Sequence, residues 1–326
     1  VTLQLGSHGP LVSRWTDVML RRFKSYATGM DGLPIRNDGY FGLDEQKVQW
    51  EYERRTHQAV DGVVSDRDLG ALGLALPVIF TLEGHKSNMW LGPCADGARR
   101  LQQEGVCYWQ PVWYDWDSLP FNNESGVQSL AHLMTSDQLP DKTPFPPGTP
   151  WGIWSFSQGA MVACDFMEQQ ILSGPLNWRL KDFKRGLALG NPRRERNRNA
   201  PWVSRPAKRN TSGIMVHDQF VTTGTSIAAR WQESAHTGDM FAENTDDAAG
   251  WDKEAIAKII TENSWFGSDA AIFSRLVKLY GNPVSEAIPA LMALISAVKF
   301  AVSNPNPHYT TITDPGDVDW MRGVAA

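Results

Sequence analysis

Cysteine is scarce in this chain: Cys94, Cys107 and Cys164 are the only three in 326 residues. An odd count argues against a disulfide framework and fits a protein made in a reducing compartment. No Cys or His pair has the spacing of metal ligands, so no zinc and no cofactor is expected. Positive charge is also short: 31 Lys and Arg stand against 36 Asp and Glu, for a net charge of −5. No basic face large enough to read phosphates is implied, which excludes nucleic acid as the expected partner. The one basic run, Arg193, Arg194, Arg196 and Arg198, reads as a solvated loop. Long apolar runs are missing as well. The longest, 288–302, is interrupted by Pro289 and Lys299, so no transmembrane segment is expected, and no charged-then-apolar leader opens the chain.

What is present is enough apolar residue, 42% of the chain, for one large core and a small domain beside it. Residues 1–75 read as a small bundle of three helices. Leu11, Trp15, Val18, Met19 and Phe23 share one helical face; Asp44 is placed to cap a second helix carrying Val48 and Tyr52; Ser65 is placed to cap a short third with Leu69 and Leu72. Two aspartate–glycine turns, Asp38-Gly39-Tyr40-Phe41-Gly42 and Asp61-Gly62-Val63-Val64-Ser65, precede the second and third helices. No long linker separates this part from residues 76–326.

The larger part announces its chemistry at Trp151-Gly152-Ile153-Trp154-Ser155-Phe156-Ser157-Gln158-Gly159-Ala160. An apolar run reads as a buried parallel strand, and Val162, Ala163, Phe166, Met167 and Ile171 follow at helical spacing. Between them lies a small-x-Ser-x-Gly turn. On a strand-to-helix turn this tight a serine oxygen projects from the end of the sheet, and the first helical turn aims N–H groups at a reacting carbonyl. Ser157 is the expected nucleophile of an α/β-hydrolase, although Ser155 stands where such a turn usually begins with glycine.

A serine nucleophile needs a base and an acid, which in this architecture follow it in the order Asp or Glu, then His. Of seven histidines, His217, His236 and His308 lie after Ser157. The first two leave little chain for another strand and helix to deliver an acid. His308, in the proline-rich loop Asn304-Pro305-Asn306-Pro307-His308-Tyr309, is the expected general base. Of Asp165, Asp182, Asp218, Asp239, Asp246, Asp247 and Asp252, most read as helical or solvated residues; Asp239, in a glycine turn after the apolar Ile227, Ala228 and Trp231, is the expected acid. The oxyanion donors are expected to be the backbone N–H groups of Gln158 and of His85, the latter in the loop Glu83-Gly84-His85-Lys86-Ser87 after a first core strand at 77–82.

Between Asp239 and His308 the chain turns strongly helical. Ile256, Ile259 and Ile260, then Ile272, Phe273, Leu276, Val277 and Tyr280, then Leu291, Leu294, Ile295 and Val298 mark an insertion at about 245–300. It reads equally as an apolar channel for long acyl chains or as helices that cover the sheet.

Taken together, the turn at Ser157, the segment Leu189-Gly190-Asn191-Pro192-Arg193, the segment His236-Thr237-Gly238-Asp239-Met240-Phe241-Ala242 and the late His308 resemble lysin B of mycobacteriophages, cutinase-related serine esterases, over most of 76–326. The resemblance implies a Ser157, Asp239 and His308 triad. It also implies hydrolysis of the ester joining mycolic acids to arabinogalactan, with synthesis in the host cytoplasm and action at the envelope after release by a holin-type protein. A monomer is expected. The family's first-strand loop is commonly His-Gly-Thr, where this chain has Glu83-Gly84-His85. Residues 1–75 are similar to the peptidoglycan-binding domain of wall hydrolases; a structural cap without ligand is the alternative. A general lipase or cutinase-like esterase, and a wall-binding protein with weak or no catalysis, stay open beside the main reading.

Overall fold

The apolar runs before and around Ser157 become the centre of a parallel sheet. The computed structural model describes residues 2–118, 120–261, 308 and 313–325, and the chain divides into two units, one of residues 1–77 with 136–150 and one of 78–135 with 151–326.

In the small unit three helices, α1 (Pro10–Arg22), α2 (Leu43–Arg55) and α3 (Asp66–Leu72), surround Trp15, Met19, Phe41, Val48, Val64 and Leu69, all buried. The repeated aspartate–glycine turns take the same form. Gly39 and Gly62 both sit at φ +74, and the Asp38 and Asp61 carboxylates accept the N–H groups of Tyr40 and Val63 at 2.9 and 2.8 Å. The last residue of each repeat is a helix N-cap. Gly42 N–H donates to Glu45 and Ser65 N–H to Asp68, each at 2.9 Å, and Ser65 Oγ accepts Asp68 N–H at 3.2 Å. Gly42 supplies only the backbone half of a capping box, the N–H that meets the carboxylate three residues on, whereas Ser65 supplies both halves. Asp44 is not the cap of α2. It lies in the first turn, where its carboxylate accepts Met30 N–H at 2.7 Å.

The larger unit is an α/β-hydrolase-like fold. Strands β1 (Val78–Leu82), β2 (Tyr108–Pro111), β3 (Trp151–Phe156), β4 (Phe183–Leu189) and, later in the chain, Trp231–Ser234 form a parallel sheet. A two-residue strand β5 (Thr211–Ser212) precedes the last of these, β6, and pairs antiparallel with β7 (Asn244–Thr245). The sheet order is β2-β1-β3-β4-β6. Every residue of β1 and β3 is buried, as parallel strands covered on both faces require. Helices α4 (Pro93–Gln103), α5 (Asn123–Thr135), α6 (Gln158–Phe166) and α8 (Pro315–Arg322) accompany the sheet, and α7 (Ala248–Thr261) begins the helical region predicted from sequence. The rest of that region, including Ile272 to Val298, which sequence reads either as an acyl channel or as cover for the sheet, lies outside the described residues.

The chain leaves β1 toward one edge of the sheet and β3 toward the other. Such a reversal opens a crevice at the carboxyl ends of the two strands, the place where open α/β sheets bind ligands. Glycines bring the layers into contact there. A Cβ on Gly159 would fall 2.4 Å from the Leu82 carbonyl oxygen and one on Gly97 2.1 Å from the Trp154 ring. Only bare backbone lets α6 and α4 approach so closely. Ser155 is accommodated: it is buried, and its hydroxyl donates to the Leu187 carbonyl on β4 at 3.3 Å.

Candidate active site

Ser157 occupies the turn between β3 and α6 with φ +55 and ψ −120, a conformation that L residues rarely adopt and that is held here by its surroundings. Its N–H donates to Leu189 O at 3.0 Å, while its carbonyl accepts the N–H groups of Ala160 and Met161 at 2.9 and 3.3 Å. The backbone is therefore fastened to β4 on one side and to α6 on the other, and the side chain projects beyond the sheet.

His308 lies against it. Its Nε2 is 2.8 Å from Ser157 Oγ, and its Nδ1 is 2.9 Å from both carboxylate oxygens of Asp239. His308 and Asp239 are 1% and 2% exposed, so the chain of contacts is shielded from competing water. The imidazole packs between Phe156 and Phe241, with ring centroids 4.9 and 4.8 Å away. Burial alone would raise the Asp239 carboxyl. The His308 ring and the N–H groups of Phe241 and Ala242, at 2.9 and 3.2 Å, outweigh it and hold the group below the usual aspartate value. An ionised carboxylate on Nδ1 fixes the tautomer in which Nε2 can accept a proton from Ser157.

Gly190, directly after β4, makes room for this pair. Its φ is +53, and a Cβ there would lie 2.8 Å from His308 Cε1, 2.9 Å from Nδ1 and 3.1 Å from Asp239 Oδ2. The following residue buttresses the turn from below: Asn191 donates through Nδ2 to both oxygens of Glu233 at 3.1 and 3.2 Å. Sequence reasoning quoted this segment but gave Gly190 no part in the geometry; the signal was a glycine immediately after a buried strand.

Of the two backbone groups expected as oxyanion donors, one directly follows Ser157 and the other directly follows Gly84. Gln158 N–H opens α6, and Gly84, which precedes His85, is so near that a Cβ on it would be 3.0 Å from Ser157 Cβ. Neither the Gln158 nor the His85 N–H donates a backbone hydrogen bond among the described residues. The His85 ring packs on Phe121 at 4.8 Å.

The basic run after this turn is not a solvated loop in its first half. Arg193 and Arg194 are 4% and 1% exposed. Arg193 pairs with Asp165, Glu168 and Asp218 at 2.7, 2.8 and 2.8 Å, and Arg194 donates to Ala242 O at 2.7 Å and to Thr211 Oγ at 2.8 Å. A guanidinium with five donors can be buried when carboxylates and carbonyls converge on it. Here those partners come from distant parts of the chain. The three cysteines are free and buried. Among the described residues no group of three or more His, Cys, Asp or Glu could hold a metal ion, and no helix is long and apolar enough to cross a membrane.

No protein-family model matches the chain. Endolysin B of Mycobacterium phage D29 is 28% identical over 237 residues, which cover 70% of this chain and 90% of that protein. The crystal structure of lysin B from mycobacteriophage D29 superimposes with a TM-score of 0.60 at 22% identity, covering 76% of this chain and all of the other, and so shares the fold. The chain is thus homologous to endolysin B of mycobacteriophage D29 and shares its α/β-hydrolase-like fold.

Proposed function

We propose that the larger unit hydrolyses the ester between mycolic acids and arabinogalactan in the mycobacterial envelope, with Ser157, His308 and Asp239 as catalytic triad. The observation that carries this reading is the unbroken chain of contacts from Ser157 Oγ through His308 to Asp239, at 2.8 and 2.9 Å, at the carboxyl end of the sheet. Homology to a phage endolysin B supports the substrate class.

The geometry supports the following steps. Ser157 Oγ attacks the ester carbonyl as its proton passes to His308 Nε2, and Asp239 stabilises the imidazolium that forms. The N–H groups of Gln158 and His85 receive the negative oxygen of the tetrahedral intermediate. His308 returns the proton to the departing sugar hydroxyl, leaving an acyl group on Ser157. Water, deprotonated by the same imidazole, then releases the fatty acid and restores the serine.

The small unit is proposed to bind peptidoglycan, which would raise the local concentration of the hydrolase at the wall. Synthesis in the host cytoplasm and release by a holin-type protein complete the proposal. Its test is the release of free mycolic acid from purified mycolyl-arabinogalactan by the wild type and by Ser157→Ala, with a short p-nitrophenyl ester in parallel. The wild type should free mycolate and the variant should not. Cleavage of the short ester alone would reduce the assignment to a general esterase, and cleavage of neither would favour a wall-binding protein.

A further inference from the structure

Glu83 takes no part in the steps above, yet it is an acidic residue only 2% exposed and it directly precedes the Gly84–His85 peptide. Both its halves are anchored. Its Oε1 accepts the Ala95 N–H at 2.7 Å in the first turn of α4, and the chain at Gly92 passes so close that a Cβ there would lie 2.4 Å from Oε2. Its backbone carbonyl accepts the buried Tyr114 hydroxyl. The same carbonyl faces α6, where a Cβ on Gly159 would approach it to 2.6 Å. On the far side of the loop, Lys86 N–H donates to Trp116 O at 3.0 Å. The peptide that carries the His85 N–H is therefore fixed from both ends beside Ser157.

We propose that Glu83 is a positioning residue for hydrolysis: docked on the first turn of α4, its carboxyl holds the Gly84–His85 peptide where the His85 N–H meets the developing oxyanion. This rests on the reading of Ser157 as nucleophile. The carboxyl does this work as a neutral acid. Burial raises it to about 8, against the N–H groups of Ala95 and Cys94, which lower it, and Asp96 in the same helical turn raises it further. Among the described residues, the other titratable groups facing it are Cys94 and Tyr114. Burial lifts both well above their ordinary values, so neither carries charge near neutral pH. Ionisation of Glu83 would put a negative charge beside the loop that must stabilise another, and turnover should fall as pH rises through about 8.

The experiment measures kcat and KM on p-nitrophenyl butyrate between about pH 6 and about pH 9.5 for wild type, Glu83→Gln, Glu83→Ala and Ser157→Ala. Glutamine keeps the acceptor for Ala95 and cannot ionise. Glu83→Gln should keep kcat within about threefold at pH 7 and lack the alkaline fall of the wild type, whereas Glu83→Ala should lose about 10- to 100-fold in kcat with KM within about threefold. A folded Glu83→Ala enzyme with wild-type kcat, or an alkaline limb unchanged in Glu83→Gln, overturns the proposal. If Glu83→Ala does not fold, the Glu83→Gln profile decides alone. Ser157→Ala separates the two claims. Its inactivity beside unaffected Glu83 variants refutes the positioning role only, while wild-type turnover by Ser157→Ala removes the nucleophile and this proposal with it.

Discussion

Gly190→Ala perturbs the site without replacing a reacting group. The added methyl would stand 2.8 Å from His308 Cε1 and 2.9 Å from Nδ1, against about 3.4 Å for ordinary contact, and also 3.1 Å from Asp239 Oδ2. The ring must retreat by about 0.6 Å, or the strand end must move by as much. A retreat of this size directed away from a partner would lengthen its contact from 2.8 or 2.9 Å to about 3.4 or 3.5 Å, beyond the usual hydrogen-bond range. Alanine at φ +53 adds about 1 kcal/mol of backbone strain. A misplacement of this size next to the reacting atom costs on the order of 10- to 100-fold in rate. The assay is kcat on a soluble p-nitrophenyl ester at 25 °C, with circular dichroism and a melting curve to establish that the variant is folded. Folded Gly190→Ala protein with kcat within twofold of wild type would refute the argument that this glycine sets the imidazole position.

Three other outcomes follow from the structure. Arg193→Met removes the cation that meets Asp165, Glu168 and Asp218 and leaves the largely buried Asp165 uncompensated; it should destabilise the hydrolase unit by about 3 kcal/mol, seen as a lower melting temperature, and a loss under about 1 kcal/mol would count against it. Glu233 is fully buried, and burial raises its carboxyl to about 7, above the 4.5 of an ordinary glutamate, against the hydrogen bonds from Trp231 and Asn191. The folded state therefore holds a proton that the unfolded chain releases, so its contribution is fully present below about pH 4.5 and is lost as pH rises to about 7. The melting temperature of Glu233→Gln should be flatter than that of wild type across this interval, and parallel curves would exclude Glu233 as the source. Asp239→Asn, which keeps the shape of the acid but favours the wrong imidazole tautomer, should lower kcat by about 10³- to 10⁴-fold in a folded protein, and a loss below about tenfold would speak against its role.

The parts of the fold legible in sequence were those set by local pattern. β1 and β3 stood out because strands buried on both faces are continuous apolar runs, and the turn at Ser157 because few residue types tolerate a junction so tight. Ser65 was legible as a cap because its side chain does the capping. Gly42 was not, since a glycine cap acts through its backbone and a carboxylate three residues on, which left the neighbouring Asp44 as the more visible candidate. The turn motif picked out Ser157, chain order and local setting picked out Asp239 and His308, and the structure brings the three within hydrogen-bond distance. Arg193 and Arg194 were misread because burial of a charge depends on its partners. Asp165 lies 28 residues before Arg193 and Asp218 lies 25 after it, beyond any periodicity. Glu83 escaped notice for a like reason: what gives it a place is Ala95, 12 residues on, and the bare backbone of Gly92.

The central claim is that Ser157 is the residue that becomes acylated, and it can be tested by covalent capture. Wild-type protein treated with a p-nitrophenyl alkylphosphonate should gain one phosphonyl group per chain, with peptide mapping placing it on Ser157, in step with the loss of esterase activity. A label on another residue, or full loss of activity with Ser157 unmodified, would contradict the account.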